Sequence, residues 1–244
     1  MYLYVNGCSH TAGAELDYPQ QGQCYEKAWG KHLSDLLDAD YENGAMSGAS
    51  NHRIVRTTYE FLYRYISAKK SPSDLFIIIM WPGIFRTELY LDNAEISGYD
   101  DGWLPLVVGN DEQYKKNFPK PLYEYYKGWV TYTDNKHASI DFYNSILNLQ
   151  LLFDKYKIRY LFLNATNSSA LSDFDLFHYF IHINKKRFPN LFNTTQSYTE
   201  LCAKNNQKIS PHSISSGFNS HYDEDAHKWY ADYLFELLHE SKLL

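Results

Sequence analysis

The run Leu75–Met80 is apolar at every position, and segments containing Ser, Pro and Gly lie on both sides of it. A strand with two apolar faces has to be covered on both, which is typical of a central strand in a parallel sheet. Two similar runs occur at Tyr2–Val5 and Arg159–Asn164, and a weaker, short strand is predicted at Asp40–Asn43. The chain therefore has the strand pattern of an α/β protein.

Amphipathic helices are predicted between these strands, because apolar residues recur there at three- and four-residue spacing. The predicted helices cover Cys24–Ala39, His52–Lys69, Ala138–Tyr156 and Asp223–Leu243, with less regular ones at Leu171–Phe188 and Thr199–Lys204. Ser50 or Asn51 is placed to cap the second of them. Strands that alternate with helices pair in parallel through right-handed crossovers. We therefore expect residues 1–244 to form one domain, a three-layer α/β/α sandwich with a flavodoxin-like parallel sheet.

Residues from about 87 to 135 interrupt this alternation. Many aromatic residues are scattered there among Gly, Pro, Asp and Lys without a sustained period, and a hairpin is predicted around Trp103–Val108. Segments of this length are often lids or recognition surfaces. An aromatic-rich subdomain that covers one side of the core, or an oligomer interface, fits the same residues. We treat the segment as an insertion and leave these three roles open.

Composition argues against several classes of partner. The formal net charge is −6 and the sequence pI is about 5.9, so a broad phosphate-binding surface is not expected, and neither is nucleic acid as the primary partner. The 23 tyrosines and 5 tryptophans are unusually many, and aromatic faces with a polar tip suit carbohydrate stacking, interfaces or wet clefts. No cofactor is expected, and the oligomeric state stays open.

Cysteine usage and the N-terminus indicate the compartment. The three cysteines are odd in number and lack metal-ligand spacing, which favours a reducing compartment over a disulfide framework. The chain begins with a core strand instead of a charged region followed by an apolar signal segment, and no apolar run reaches the ~18 residues of a membrane span. We expect no signal peptide, no membrane partner and a cytoplasmic location, in the host cytoplasm if the protein is viral.

Chemistry is expected where the first strand stops, at Gly7-Cys8-Ser9-His10-Thr11. Gly7 permits a backbone turn there, and Ser9 would lie at the carboxyl end of a central strand, where open α/β sheets place their ligands. A serine hydroxyl needs a histidine base and donors for the developing oxyanion before it can attack an acyl carbon. His221, just before the terminal helix, is the candidate base. A plain strand-to-loop turn with a capping serine or threonine fits Ser9 as well.

Three segments resemble the motif blocks of the SGNH, or GDSL-type, hydrolases. Gly7–Thr11 is similar to the first block, Gly-Asp-Ser with a threonine two residues on, although Cys8 replaces the aspartate. Asn43–Asn51 is similar to the second block, a small-residue loop, and Gly48–Ile54 resembles a branch often seen in bacteriophages. His221 and His227 keep the six-residue spacing of the last block.

The resemblance implies an SGNH hydrolase fold and an ester-cleaving activity. It assigns Ser9 as the nucleophile and His221 as the base, with an oxyanion hole from Ser9, Gly48 and Asn51. His227 is then a helix residue, and a hydrogen-bonded structural role is expected for it. A metal site made by the two histidines and the acids between them is not expected, because residues six apart do not share a helix face.

The chain departs from the family pattern at two places. The third block normally supplies an oxyanion-hole asparagine, but Trp81–Glu88 contains none, so Asn51 or Arg86 would have to substitute. The family's aspartate three residues before the histidine is replaced by Phe218. A backbone carbonyl, Asp223 or Asp225 would then orient His221. Arg86 and Glu88 fit a substrate clamp or, equally, a structural ion pair at the strand end.

The expected activity is hydrolysis of an O-acyl ester of a small molecule or glycan. Stacking by the aromatic insertion makes O-acetyl groups on a carbohydrate the preferred substrate. One alternative is a catalytically degenerate carbohydrate- or protein-binding module, such as a phage accessory protein. A second is a nucleotide- or phosphate-binding protein, against which the absence of a Gly-x-Gly-x-x-Gly or P-loop pattern argues.

Overall fold

The computed structural model describes residues 1–16, 23–92, 101–166, 182–188, 196–211, 213 and 221–243. Its strands are β1 (Tyr2–Gly7), β2 (Asp40–Asn43), β3 (Leu75–Trp81), β4 (Arg86–Tyr90), β5 (Trp103–Val107) and β6 (Arg159–Asn164). Four of them form a parallel sheet in the order β2-β1-β3-β6. This confirms the predicted parallel α/β sheet, and β6 has the predicted bounds.

The helices are α1 (Ser9–Ala12), α2 (Trp29–Leu36), α3 (Asn51–Ser67), α4 (Asp111–Asn117), α5 (Lys120–Tyr132), α6 (Asn135–Tyr156), α7 (Tyr198–Lys204) and α8 (Glu224–Glu240). The predicted helix over Cys24–Ala39 is shorter than expected, because a 3-10 turn at Tyr25–Lys27 and an extended Ala28 precede α2. Most of the predicted helix at Leu171–Phe188 lies outside the described residues, and residues 182–188 form turns.

The sheet is covered on both faces. Because side chains alternate along a strand, Tyr4, Ile77 and Phe162 pack with α3 and α6 in one apolar cluster. Their neighbours Val5 and Ile78 pack with α2, α7 and α8 in a second cluster on the opposite face. Two separate apolar clusters on one sheet account for the strands that are apolar at every position. The architecture is the three-layer sandwich predicted from the sequence.

The insertion contains a hairpin, but its second strand alone lies where the hairpin was predicted, around Trp103–Val108. β5 pairs antiparallel with β4, in the register that places Glu88 opposite Pro105, so Arg86 and Glu88 lie in a strand and not in a loop after β3. Leu89, Leu104 and Leu106 point to one face and pack against α4 and α5. The segment therefore has an apolar cluster of its own, apart from the two clusters of the main sheet.

The opposite face of the hairpin is attached to α3 by charged residues. Arg56 donates to both carboxylate oxygens of Glu88, at 3.2 and 3.1 Å, and the Glu88 side chain is only 5% exposed. The guanidinium of Arg56 also lies 4.6 Å from the centre of the Trp103 ring, a cation–π contact. Arg53 pairs with Asp101 at 2.8 Å. These contacts hold the hairpin beside the amino-terminal half of α3.

Candidate active site

The turn that carries Ser9 requires a glycine before it. A β-carbon on Gly7 would lie 2.8 Å from the carbonyl oxygen of Met80 and would also overlap the hydroxyl of Thr11. Ser9 follows as the first residue of α1, not as part of the open loop that the sequence suggested, and it is 9% exposed. Its place at the carboxyl end of β1 is the one predicted.

A buried asparagine ties this strand end to α3. The side-chain amide of Asn6 lies 2.9 Å from the hydroxyl of Thr57 and 3.0 Å from that of Thr58, and its carbonyl oxygen accepts from the Gly7 N–H at 2.8 Å. Asn6 is 1% exposed, so these bonds are not in competition with solvent. The position of the Ser9 turn relative to α3 is therefore fixed by direct hydrogen bonds.

A second asparagine ties the same turn to the end of β2. Asn43 donates from its amide to the carbonyl oxygen of Thr11 at 2.9 Å and accepts from the N–H of Ala45 at 2.9 Å. The first bond joins the segment that holds Ser9 to the end of β2, and the second orders the small-residue loop that follows β2. The two segments are thus held together by the side chain of Asn43.

Gly48 and Asn51, the residues predicted for an oxyanion hole, lie in the loop after β2 and at the first position of α3. Gly48 has φ +77, a conformation that favours glycine, and its N–H has no hydrogen-bond acceptor within the described ranges. Ser50 caps α3 by accepting from the N–H of Arg53 at 3.0 Å. Asn51 is 5% exposed, and its side-chain oxygen has no partner in the part of the chain that the structure describes. A buried carbonyl oxygen without a donor carries a desolvation cost.

His221 is brought to the Ser9 turn from the far end of the chain. Its ring centre lies 4.9 Å from that of His10, the residue after Ser9, in an edge-to-face arrangement. Its Nδ1 lies 2.8 Å from Oε2 of Glu15, a contact between residues 206 apart in sequence. Only 12% of the His221 side chain and 17% of the Glu15 side chain are exposed.

Glu15 is the carboxylate that sequence reasoning missed. The predicted orienting residues have other partners: Asp223 caps α8 by accepting from the N–H of Ala226 at 3.0 Å, and the side chain of Asp225 is 86% exposed. Nothing in the local pattern around Glu15 indicates a contact with His221. The one feature that could have pointed to Glu15 is its position two residues after Gly13. Gly13 ends α1 in the left-handed conformation, with φ 66.

Of the two residues considered for a clamp or a structural ion pair, Glu88 forms an ion pair with Arg56 of α3. The clamp stays a prediction. Arg86 places its Nη1 3.5 Å from the carbonyl oxygen of Ala49, in the loop that carries Gly48. Its positive charge contributes to the lowered pKa of His10, so the guanidinium acts on the region of the Ser9 turn.

Two further histidines near the site are buried and neutral. His10 is 3% exposed, and burial, followed by the charges of His221 and Arg86, holds its pKa well below the usual 6.5. His227 lies in α8 and accepts from the backbone N–H of Trp29 at 3.1 Å, which satisfies a donor at the start of α2. Burial lowers the pKa of His227 to about 3. His227 therefore joins two helices, in agreement with a structural role.

The lowered pKa of His227 predicts a pH-dependent stability. The unfolded chain binds a proton near pH 6.5 and the folded chain only near pH 3, so stability is lost as the pH falls through this window. From pH 7 to pH 5 this residue should lower the free energy of unfolding by about 2 kcal/mol. Urea unfolding of the wild type and of His227→Gln, whose amide oxygen can still accept from Trp29, would measure the difference. Equal pH dependence in the two proteins would contradict the assignment.

The described residues contain no group of three or more His, Cys, Asp and Glu side chains that could hold a metal ion. Among the same residues, no helix has both the length and the apolar character needed to cross a bilayer.

Several solved structures are similar to the chain over nearly its whole length. A member of the lipolytic G-D-S-L protein family from Veillonella parvula is 13% identical, with a TM-score of 0.47 and 97% of each chain covered. The psychrotrophic esterase EstA from Pseudoalteromonas sp. is 11% identical, with a TM-score of 0.45 and 98% of each chain covered. The acetyl xylan esterase Est2A from Butyrivibrio proteoclasticus is 12% identical, with a TM-score of 0.47, covering 100% of this chain and 66% of its own.

Sequence comparison places the chain in a family. No curated protein matches it. A family model described as "Family of unknown function (DUF6071)" matches residues 15–180, a range that includes Glu15, Gly48, Asn51 and the whole insertion. The chain belongs to this family, DUF6071.

Proposed function

We propose that the protein is a serine hydrolase that cleaves carboxylic esters, with Ser9 as the nucleophile and His221 as the base. The observation that carries the proposal is the packing of His221 against the Ser9 turn, with its ring 4.9 Å from that of His10. A histidine packed on the turn that carries a serine, at the edge of a parallel sheet where ligands bind, is placed to activate the serine hydroxyl group. The sequence resemblance to SGNH hydrolases points to the same two residues.

The proposed reaction follows from which nitrogen of His221 is free. Nδ1 is engaged by Glu15, so Nε2 accepts the proton of the Ser9 hydroxyl while Oγ attacks the acyl carbon. The N–H groups of Ser9 and Gly48 and the amide of Asn51 stabilise the oxyanion. His221 then gives its proton to the leaving alcohol. Water attacks the acyl-enzyme by the same steps, which releases the acid and restores Ser9.

An O-acetylated carbohydrate is the proposed substrate, and the hairpin beside the site supports it. The ring of Pro105 is 3.6 Å from where a β-carbon on Gly48 would be, so β5 borders the proposed oxyanion loop. Trp103 lies two residues away on the same face of β5, about 7 Å along the strand. Its ring centre is 5.3 Å from that of Tyr90, which is 54% exposed. Such a pair offers a surface on which a sugar ring can stack.

A fluorophosphonate probe tests the nucleophile directly, because it reacts with serines that have an activated hydroxyl group. We expect the wild type to gain the mass of the probe at Ser9, and Ser9→Ala to gain none. Ser71→Ala is the control, since Ser71 is an exposed serine before β3 at the opposite end of the sheet and should leave labelling unchanged. A folded wild type that is not labelled would contradict the proposal and favour the binding-module alternative.

A further inference from the structure

We propose that Glu15 is the carboxylate that positions His221, so that the acid of this site comes from the nucleophile's own turn and not from the segment before the histidine. This inference rests on the proposed function, because it assigns Glu15 a part in the same reaction. Glu15 acts through His221 and does not itself touch the ester.

The contact between Glu15 and His221 has the geometry of a charge-assisted hydrogen bond. The Oε2–Nδ1 distance is 2.8 Å, and both side chains are largely shielded from water. In such surroundings the attraction between the carboxylate and a protonated imidazole is stronger than for an exposed pair. Glu15 therefore fixes the direction of the ring and stabilises the charge that forms when His221 accepts the proton of Ser9.

The backbone of Glu15 is held in an uncommon conformation. Its φ is 66, in the left-handed region that a non-glycine residue occupies at a cost of about 1 kcal/mol or more. Two hydrogen bonds fix the backbone just before Glu15. The N–H groups of Gly13 and Ala14 both donate to the carbonyl oxygen of Ser9, and the bond from Ala14 is 3.1 Å long. A strained residue in contact with the proposed base is the kind of outlier that points to function.

Glu15 also holds the histidine segment at a second point. Its carbonyl oxygen accepts from the hydroxyl of Ser210 at 3.1 Å, and the N–H of Ser210 donates to the carbonyl oxygen of His221 at 2.9 Å. The N–H of His221 is in turn bonded to the hydroxyl of Ser213 at 3.0 Å. One residue of the nucleophile's turn thus contacts the base through its side chain and the base's segment through its backbone, so the two halves of the site are positioned together.

Among the residues that the structure describes, Glu15 is the carboxylate in contact with His221. The other ring packed on His221 is that of His10, which is neutral because burial lowers its pKa, so it supplies no negative charge to pair with the base.

Kinetics of three variants would test the role of Glu15. For an ester substrate, Glu15→Gln should lower kcat about 10²- to 10⁴-fold and leave KM within about threefold, because orientation and charge of the base change while substrate contacts stay. Glu15→Asp keeps the charge, so its kcat should be at least about tenfold higher than that of Glu15→Gln. Asp223→Asn is the matched control at a carboxylate that caps α8, and should keep kcat within about threefold. A Glu15→Gln enzyme with wild-type kcat would overturn the inference.

A spectroscopic measurement separates this inference from the proposed function. In ¹⁵N-labelled protein, the Nδ1 proton of His221 should give a strongly low-field signal in the wild type and in Ser9→Ala. The signal should move upfield in Glu15→Gln and vanish in His221→Ala. A wild type that is inactive and does not react with the fluorophosphonate probe would defeat the proposed function. A His221 signal that does not change in Glu15→Gln would defeat the role of Glu15, even in an active enzyme.

Discussion

Replacing Ser9 with alanine is expected to lower kcat for p-nitrophenyl acetate by about 10⁴- to 10⁶-fold, and replacing His221 with alanine should lower it nearly as far. The two residues act as one unit, because the hydroxyl group is reactive only while the imidazole takes its proton. The double variant should therefore be no slower than either single variant. Its residual rate would come from substrate binding and from the oxyanion donors.

The measurement is steady-state turnover of the wild type, the two single variants and the double variant at high protein concentration. Ser71→Ala again serves as the control that should retain full activity. Additive losses in the double variant would show that Ser9 and His221 act independently, which contradicts the proposed pairing. Equal background rates in all proteins would argue against turnover of this ester and shift attention to glycan binding by the hairpin.

Most of the central sheet was predictable because three of its four strands, β1, β3 and β6, carry apolar side chains on both faces. Leu75–Trp81 is fully buried, and its alternate side chains enter two different clusters, which is the condition that produces an uninterrupted apolar run. β4 is different. Its residues are half-buried or exposed and include Arg86, Thr87 and Glu88, so nothing in their pattern distinguishes a strand from a loop. The partner strand and the contact of Glu88 with Arg56 become visible only in three dimensions.

The residues of the candidate site also differ in how well the sequence indicates them. Ser9 and Gly48 follow strand ends, and His221 precedes the terminal helix α8, so short motifs and their order were enough to propose them. Glu15 has no such signal, because its partner is 206 residues away and its left-handed backbone depends on how α1 ends at Gly13. Sequence reasoning searched for the acid near His221, where the SGNH hydrolases that the motifs resemble carry it. The chain instead offers one beside Ser9.

Replacing Trp81 with alanine is expected to lower the free energy of unfolding by about 3–5 kcal/mol, the largest effect on stability that we predict. Trp81 ends β3, is completely buried, and makes edge-to-face contacts with Phe142 and Phe162, with ring centres 5.9 and 5.6 Å away. An alanine would leave a cavity between the sheet and α6. Trp81→Phe should cost much less, since it keeps an aromatic ring and removes an indole N–H that has no partner among the described residues.

Urea unfolding of Trp81→Ala, Trp81→Phe and Tyr132→Ala would measure these differences. Tyr132 is 87% exposed, so its replacement should change the free energy of unfolding by no more than about 0.5 kcal/mol.

The effect of Trp81→Ala should also reach the site, because Met80, its neighbour in β3, contacts Gly7 at the start of the Ser9 turn. We therefore expect the folded Trp81→Ala protein to hydrolyse esters more slowly than Trp81→Phe. An alanine variant as stable as the phenylalanine variant would mean that the surrounding side chains close the cavity, and that the end of β3 does not depend on this ring.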